Sequence, residues 1–170
     1  MIRGPPGVGK STLGTIFWKA LPNGAVVEVD SLRHMQSNTG WQENFKNYKF
    51  AIKQAVMLVN SFLHDGFFPV IIIDSFEPKI FTYIKQYLHM PYIVITLMAN
   101  QEELIRRVRG REKGYKNEAD ILNIRIQLLN DNLNDDIVID TTNLKANEVF
   151  ERINEIIKLG QLKELKPIDS

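Results

Sequence analysis

Eight consecutive residues near the start of the chain, Gly4-Pro5-Pro6-Gly7-Val8-Gly9-Lys10-Ser11, fit the pattern G-x-x-x-x-G-K-[ST] at every position. Each residue type has a physical job there. The glycines let the backbone curl so that N–H groups close around a phosphate, and the helix that follows adds the positive end of its dipole. Lys10 reaches the β- and γ-phosphates, and the Ser11 hydroxyl is a ligand for Mg²⁺. We therefore assign Gly4, Gly7, Val8, Gly9, Lys10, Ser11 and Thr12 to the phosphates of a nucleoside triphosphate. Only Met1, Ile2 and Arg3 precede Gly4, so the strand feeding the loop is either very short or begins upstream.

Downstream, short β-branched apolar runs alternate with longer helical patterns. The runs are AVVEV (25–29), PVIII (69–73), YIVITL (92–97) and DIVI (136–139). Three of them are nearly continuous rather than alternating, as expected of strands covered on both faces. Helical patterns start near Lys10, Glu43, Pro78, Gln101, Glu118 and Lys145. In the second, Phe45, Ile52, Ala55, Val56, Val59 and Phe62 recur at helical spacing before Gly66 stops it. Strand–helix alternation of this kind means an α/β fold with a parallel sheet and right-handed crossovers. The 170 residues suit one domain, expected over 1–160 with a polar tail at 161–170.

Composition excludes several classes of function. A net charge of +1 argues against a global electrostatic claim on nucleic acid or an acidic membrane. The absence of cysteine removes disulfides, thiolate zinc sites and a cysteine nucleophile, and fits a cytoplasmic protein. The longest apolar run, FFPVIII, is too short to span a bilayer, so no membrane is expected as a partner.

The chain must also settle where a terminal phosphate goes. PVIIIDSF is an apolar strand ending in Asp74, a position from which a carboxylate holds Mg²⁺ beside the phosphate loop. Ser75 follows it, where many ATPases have a glutamate that activates water, and no N-K-x-D or D-x-x-G of GTPases is present. In AVVEVDSLRHM, Asp30 ends the second strand and Arg33 follows one turn later. Such a carboxylate faces the γ-phosphate from the acceptor side, able to take the hydroxyl proton or orient the nucleophile, with Arg33 clamping an anionic acceptor group. Asp30 as a plain helix cap is the competing reading.

At these residues the chain resembles P-loop kinases of small molecules and nucleic-acid ends. VDSLRHM resembles the GDNVRHG segment of adenylylsulfate kinases, and its D-x-x-R that of phage-type polynucleotide 5′-kinases. VIDTTNLKANEVFERI is similar to the last strand and helix of chloramphenicol phosphotransferase-like and gluconate kinase-like proteins. The resemblance implies a three-layer P-loop nucleoside triphosphate hydrolase fold of kinase type, its five-stranded parallel sheet ordered 2-3-1-4-5. It also implies ATP-dependent transfer to a hydroxyl or phosphate of a small molecule, nucleotide or nucleic-acid 5′ end. The paired D-G-D of adenylylsulfate kinases is replaced here by Glu28-Val29-Asp30, which speaks against that substrate.

By the same resemblance, a lid at about 106–120 folds arginines over the triphosphate, and RVRGR makes Arg107 and Arg111 the catalytic pair. The IDTTNLKAN turn borders the adenine ring through Asn143, unless Asn143 only caps the next helix. In NTGWQENFKNYKF, Trp41, Phe45 and Tyr48 are candidates to stack on a ring of the acceptor, Trp41 foremost because it lies off the apolar stripe. The alternative to a kinase is a P-loop ATPase or nucleotide-dependent switch acting on a protein partner.

Overall fold

The apolar runs pair into a single five-stranded sheet in the order β2-β3-β1-β4-β5. A computed structural model describes residues 1–36, 45–112, 114–131 and 136–162. The strands are β1 (Ile2–Arg3), β2 (Ala25–Glu28), β3 (Val70–Ile73), β4 (Ile95–Met98) and β5 (Ile137–Asp140). Between them lie α1 (Lys10–Ala20), α2 (Val29–Gln36), α3 (Phe45–His64), α4 (Pro78–Lys85), α5 (Gln101–Arg109), α6 (Glu118–Asn130) and α7 (Ala146–Leu162). Every pairing is parallel. This is the expected 2-3-1-4-5 order, with the loop strand central.

The continuous runs are explained by a core on each face. Period-two alternation sends Ile71 and Ile73 to one side of β3 and Ile72 to the other. The first side packs against α1 and α7, where the Phe17 and Phe150 rings meet with centroids 4.8 Å apart. The second packs Ile72 against Ala51, Ile52, Ala55 and Val56 of α3 and Ile80, Phe81 and Ile84 of α4. Gly66 ends α3 as expected, at φ 83°, with the N–H of Phe67 donating to the carbonyl of Phe62 as in a Schellman cap.

Three expectations are corrected. The second strand ends at Glu28, and Val29 and Asp30 open α2, so Asp30 sits in the first turn of a helix rather than at a strand end. Edge strand β5 is not covered on both faces, since Val138 is 62% exposed and only Ile139 is buried. Helix α7 runs to Leu162, beyond the expected start of the tail, while 163–170 lie outside the described residues.

A strand of two residues cannot be held by its ladder alone. β1 is held by Arg3, which is 1% exposed. Its Nη1 donates to Asp131 at 2.7 Å and to the carbonyl of Phe76 at 3.3 Å. Its Nε donates to Thr96 at 2.8 Å and to Asp136 at 3.0 Å, and Nη2 lies 2.8 Å from Asp136. Thr96 in turn donates to Asp136. Replacing Arg3 with methionine leaves two largely buried carboxylates without their cation. We expect Arg3→Met to lower the unfolding free energy by about 3–5 kcal/mol in urea denaturation followed by circular dichroism.

Candidate functional site

The phosphate loop connects β1 to α1 at the carboxyl edge of the sheet. Gly4, at φ 155°, passes so near β4 that a Cβ there would lie 2.5 Å from the carbonyl oxygen of Leu97. Gly9 caps α1 in the left-handed region at φ 108°. These two positions explain why the motif needs glycine. Lys10 Nζ donates to the carbonyls of Gly4 at 2.7 Å and Pro5 at 3.0 Å, folded across the loop. Burial lowers its pKa to about 8, opposed by the charges of Asp74 and Asp30.

A cleft of about 1640 Å³ opens from this loop. Its walls bring together Gly7, Val8, Gly9, Lys10, Ser11 and Thr12 with Asp30, Arg33, Asp74, Arg107 and Arg111. Residues drawn from the turn after β3, from α2, from α5 and from the segment after α5 thus meet the phosphate loop in one space. Trp41 lies outside the described residues. Phe45 and Tyr48 line the cleft; Lys46, Lys49 and Lys53 are not part of its lining. Lys49 instead places Nζ over the rings of Phe45 and Tyr83, at 4.6 and 4.9 Å.

Asp74 directly follows β3, is 5% exposed, and accepts a hydrogen bond from the hydroxyl of Tyr48. Burial and then the charge of Asp30 raise its pKa to about 6. Burial and the Asp74 charge push the Tyr48 phenol well above its ordinary value, so it remains a donor. Asp30 is exposed to the cleft, with Arg33 Nη1 3.5 Å from its Oδ1. The Arg33 guanidinium lies over the Tyr48 ring, 4.7 Å from its centroid.

The arginines after β4 divide the work. Arg107 is anchored between the phosphate loop and the last sheet loop. It donates to the carbonyl of Val8 at 3.3 Å, to the hydroxyl and carbonyl of Thr141 at 3.1 and 2.7 Å, and to Glu103 at 2.6 Å. Arg111 donates to the carbonyl of Tyr115 at 2.9 Å, and burial lowers its pKa. Arg106 is held by Glu103, and Arg109 reaches Glu118 at 2.7 Å, away from the cleft lining. Asn143 is exposed and does not line the cleft; Thr141 and Leu144 of the same turn do. The first turn of α7 is capped by Glu148, which accepts from the N–H of Lys145 at 2.7 Å.

Sequence reasoning missed Glu28, Tyr48 as a partner of Asp74, and Thr141. Glu28, the last residue of β2, lines the cleft two residues before Asp30, and burial with the Asp30 charge raises its pKa. Its carboxylate fits because Gly14 of α1 has no side chain: a Cβ there would lie 2.8 Å from Glu28 Oε1. The Glu28–Asp30 spacing was a readable signal. The Tyr48 and Thr141 contacts had none.

The donor set suits Mg²⁺ with a nucleotide. Ser11 offers a hydroxyl and Asp74 a buried carboxylate beside the charge of Asp30, a grouping that a divalent cation would relieve. No group of three or more metal-binding side chains occurs among the described residues, and Mg²⁺ bound with phosphates needs only one or two carboxylates. No helix among the described residues is long and apolar enough to cross a membrane.

The two shifted groups set a pH window. If Asp74 holds a metal and Lys10 a phosphate, protonation of Asp74 removes that ligand and deprotonation of Lys10 removes that cation. At limiting Mg²⁺, binding of a fluorescent ATP analogue should weaken below about pH 6 and again above about pH 8. Without metal, only the alkaline limb should remain in the same titration.

Residues 1–130 match the AAA domain family. No curated protein matches the sequence. Among solved structures, the shikimate kinase of Acinetobacter baumannii is similar with a TM-score of 0.68 at 16% identity, covering 95% of this chain and 93% of that one. The tunicamycin resistance protein of Deinococcus radiodurans is similar with a TM-score of 0.67 at 18% identity, over 99% of this chain and 96% of that one. A gluconokinase from Sinorhizobium meliloti 1021 follows with a TM-score of 0.66 at 12% identity, over 96% and 95% of the two chains. With its phosphate loop intact, the chain belongs to the AAA domain family, and its sheet order is that of the P-loop kinase fold.

Proposed function

We propose that this protein is a kinase that moves the γ-phosphate of Mg·ATP to a hydroxyl-bearing acceptor. The observation that carries the reading is Asp30. It is a cleft-facing carboxylate on α2, near enough to Lys10 and Asp74 that its charge shifts the pKa of both. No glutamate follows Asp74 to activate water; Ser75 stands there. Kinases among the similar structures agree with this assignment.

In this mechanism the acceptor oxygen attacks the γ-phosphorus in line, its bond to the β–γ bridging oxygen breaks, and ADP leaves. Asp30 orients the hydroxyl and takes its proton. Lys10 leaves the carbonyls of Gly4 and Pro5 to span the β- and γ-phosphates. Arg111 stabilises charge on the transferring group, while Arg107 acts from its anchored place as a brace between the loop and the Thr141 turn. Arg33 receives the acceptor, and Ser11 and Asp74 would hold Mg²⁺. When bound, Mg²⁺ would neutralise charge on the β- and γ-oxygens.

The two carboxylates separate in mutants assayed with γ-labelled ATP against a panel of nucleosides, nucleotides, 5′-hydroxyl oligonucleotides, sugars and antibiotics. Asp30→Asn should leave ATP affinity nearly intact and slow transfer by about 10²–10⁴-fold, toward the low end for a loose transition state. Asp74→Asn should raise the Mg²⁺ requirement with or without acceptor. Undiminished transfer by Asp30→Asn would reduce Asp30 to a first-turn acid that suits the dipole of α2 and has no part in transfer. Phosphate released only to water across the panel would point to the ATPase instead.

A further inference from the structure

Tyr48 belongs to α3, on the acceptor side of the cleft, yet its hydroxyl reaches the carboxylate assigned to the metal. It donates to Oδ2 of Asp74, 26 residues away in sequence. A carboxylate as buried as Asp74 needs fixed donors in place of water, or its ionised form is costly. The hydroxyl of Tyr48 and the backbone N–H of Ser75 are such donors. The Tyr48 ring is itself held, because the Arg33 guanidinium lies 4.7 Å from its centroid and pairs with Asp30 at 3.5 Å. Contacts thus run without a break from Asp74 through Tyr48 and Arg33 to Asp30.

We propose that Tyr48 is a positioning residue for the metal carboxylate, orienting Asp74 toward Mg²⁺ from the helix that lines the acceptor side. The proposal rests on the reading of Asp74 as a metal ligand. It gives Tyr48 a role before any acceptor arrives, unlike ring stacking, which would leave metal binding untouched in the absence of acceptor. Hydrogen-bond partners behind a metal ligand set its orientation, and their loss costs about 10–100-fold in metal affinity. Phenylalanine fills the same volume and lacks only the donor.

The test uses the full chain, a non-hydrolysable ATP analogue and Mn²⁺ read by electron paramagnetic resonance, without acceptor. Tyr48→Phe should weaken Mn²⁺ binding by about 10–100-fold while metal-free affinity for the analogue stays unchanged. The double variant Tyr48→Phe/Asp74→Asn should bind Mn²⁺ no more weakly than Asp74→Asn alone, because the tyrosine acts through that carboxylate. Should Tyr48→Phe melt at a much lower temperature, Arg33→Gln gives a second reading: it frees the ring, leaves the hydroxyl, and should weaken Mn²⁺ binding to a smaller degree. Unchanged Mn²⁺ affinity in these variants, or losses that add in the double variant, overturns the proposal. If the wild type binds the analogue but not Mn²⁺, the metal role of Asp74 falls with it. Failure of phosphotransfer shows up separately, in the acceptor panel.

Discussion

The buried guanidinium of Arg3 is the contact on which the placement of the site depends. It adjoins Gly4 in the sequence and bonds to β4, to the turn after β3, to the end of α6 and to the residue before β5. Taking a charge out of water is expensive, and that cost is offset only when the partners are close and well aligned. Arginine suits such a position because its planar group spreads several donors in fixed directions. Displacing β1 would break those bonds together, so a strand of two residues is held in register between Ile73 and Ile95. The phosphate loop inherits that fixed starting point. The turn carrying Asp74 inherits it as well, because the carbonyl of Phe76 is among the partners of Arg3.

The cleft is built with an electrostatic deficit. Glu28, Asp30 and Asp74 face the same space, and Asp30 raises the pKa of both neighbours. Among the cations of the same cleft, Lys10 and Arg111 are lowered by burial. Carboxylates gathered this way call for a divalent cation, and buried cations call for phosphate. A metal–nucleotide complex meets both demands at once. Beginning α2 at Val29 matters here: it lifts Asp30 off the sheet edge onto a helix turn, where its carboxylate is open to the cleft while Asp74 stays covered.

Much of this was readable from residues in order. The glycine spacing announced the phosphate loop, the β-branched runs located β2 to β5 within a few residues, and Gly66 ended α3 where expected. Boundaries failed where local pattern and packing disagreed. AVVEV reads as one strand to Val29, but Val29 belongs to the core through α2 instead. Apolar IVI reads as a covered strand, but at the sheet edge only Ile139 finds a packing partner. Among the arginines, the resemblance singled out Arg107 and Arg111 but was silent on their difference. Arg107 is spent on backbone carbonyls and Thr141, while Arg111 holds one carbonyl of its own loop.

What the sequence determined by itself was whatever depends on neighbouring residues. The curvature of the phosphate loop is local, because it needs glycines at positions where a Cβ would clash or φ is positive, and because the helix dipole begins where the loop ends. The alternation of strands with helices is local for the same reason, and with right-handed crossovers it leaves few topologies open. The tertiary structure alone decided which side chains meet. Tyr48 reaches Asp74 across 26 residues, Arg107 reaches Thr141 across 34 and Arg3 reaches Asp136 across 133. Long side chains have many rotamers of similar energy, so no local rule selects their partners. Burial does, by making every unpaired donor or carboxylate too costly to leave alone.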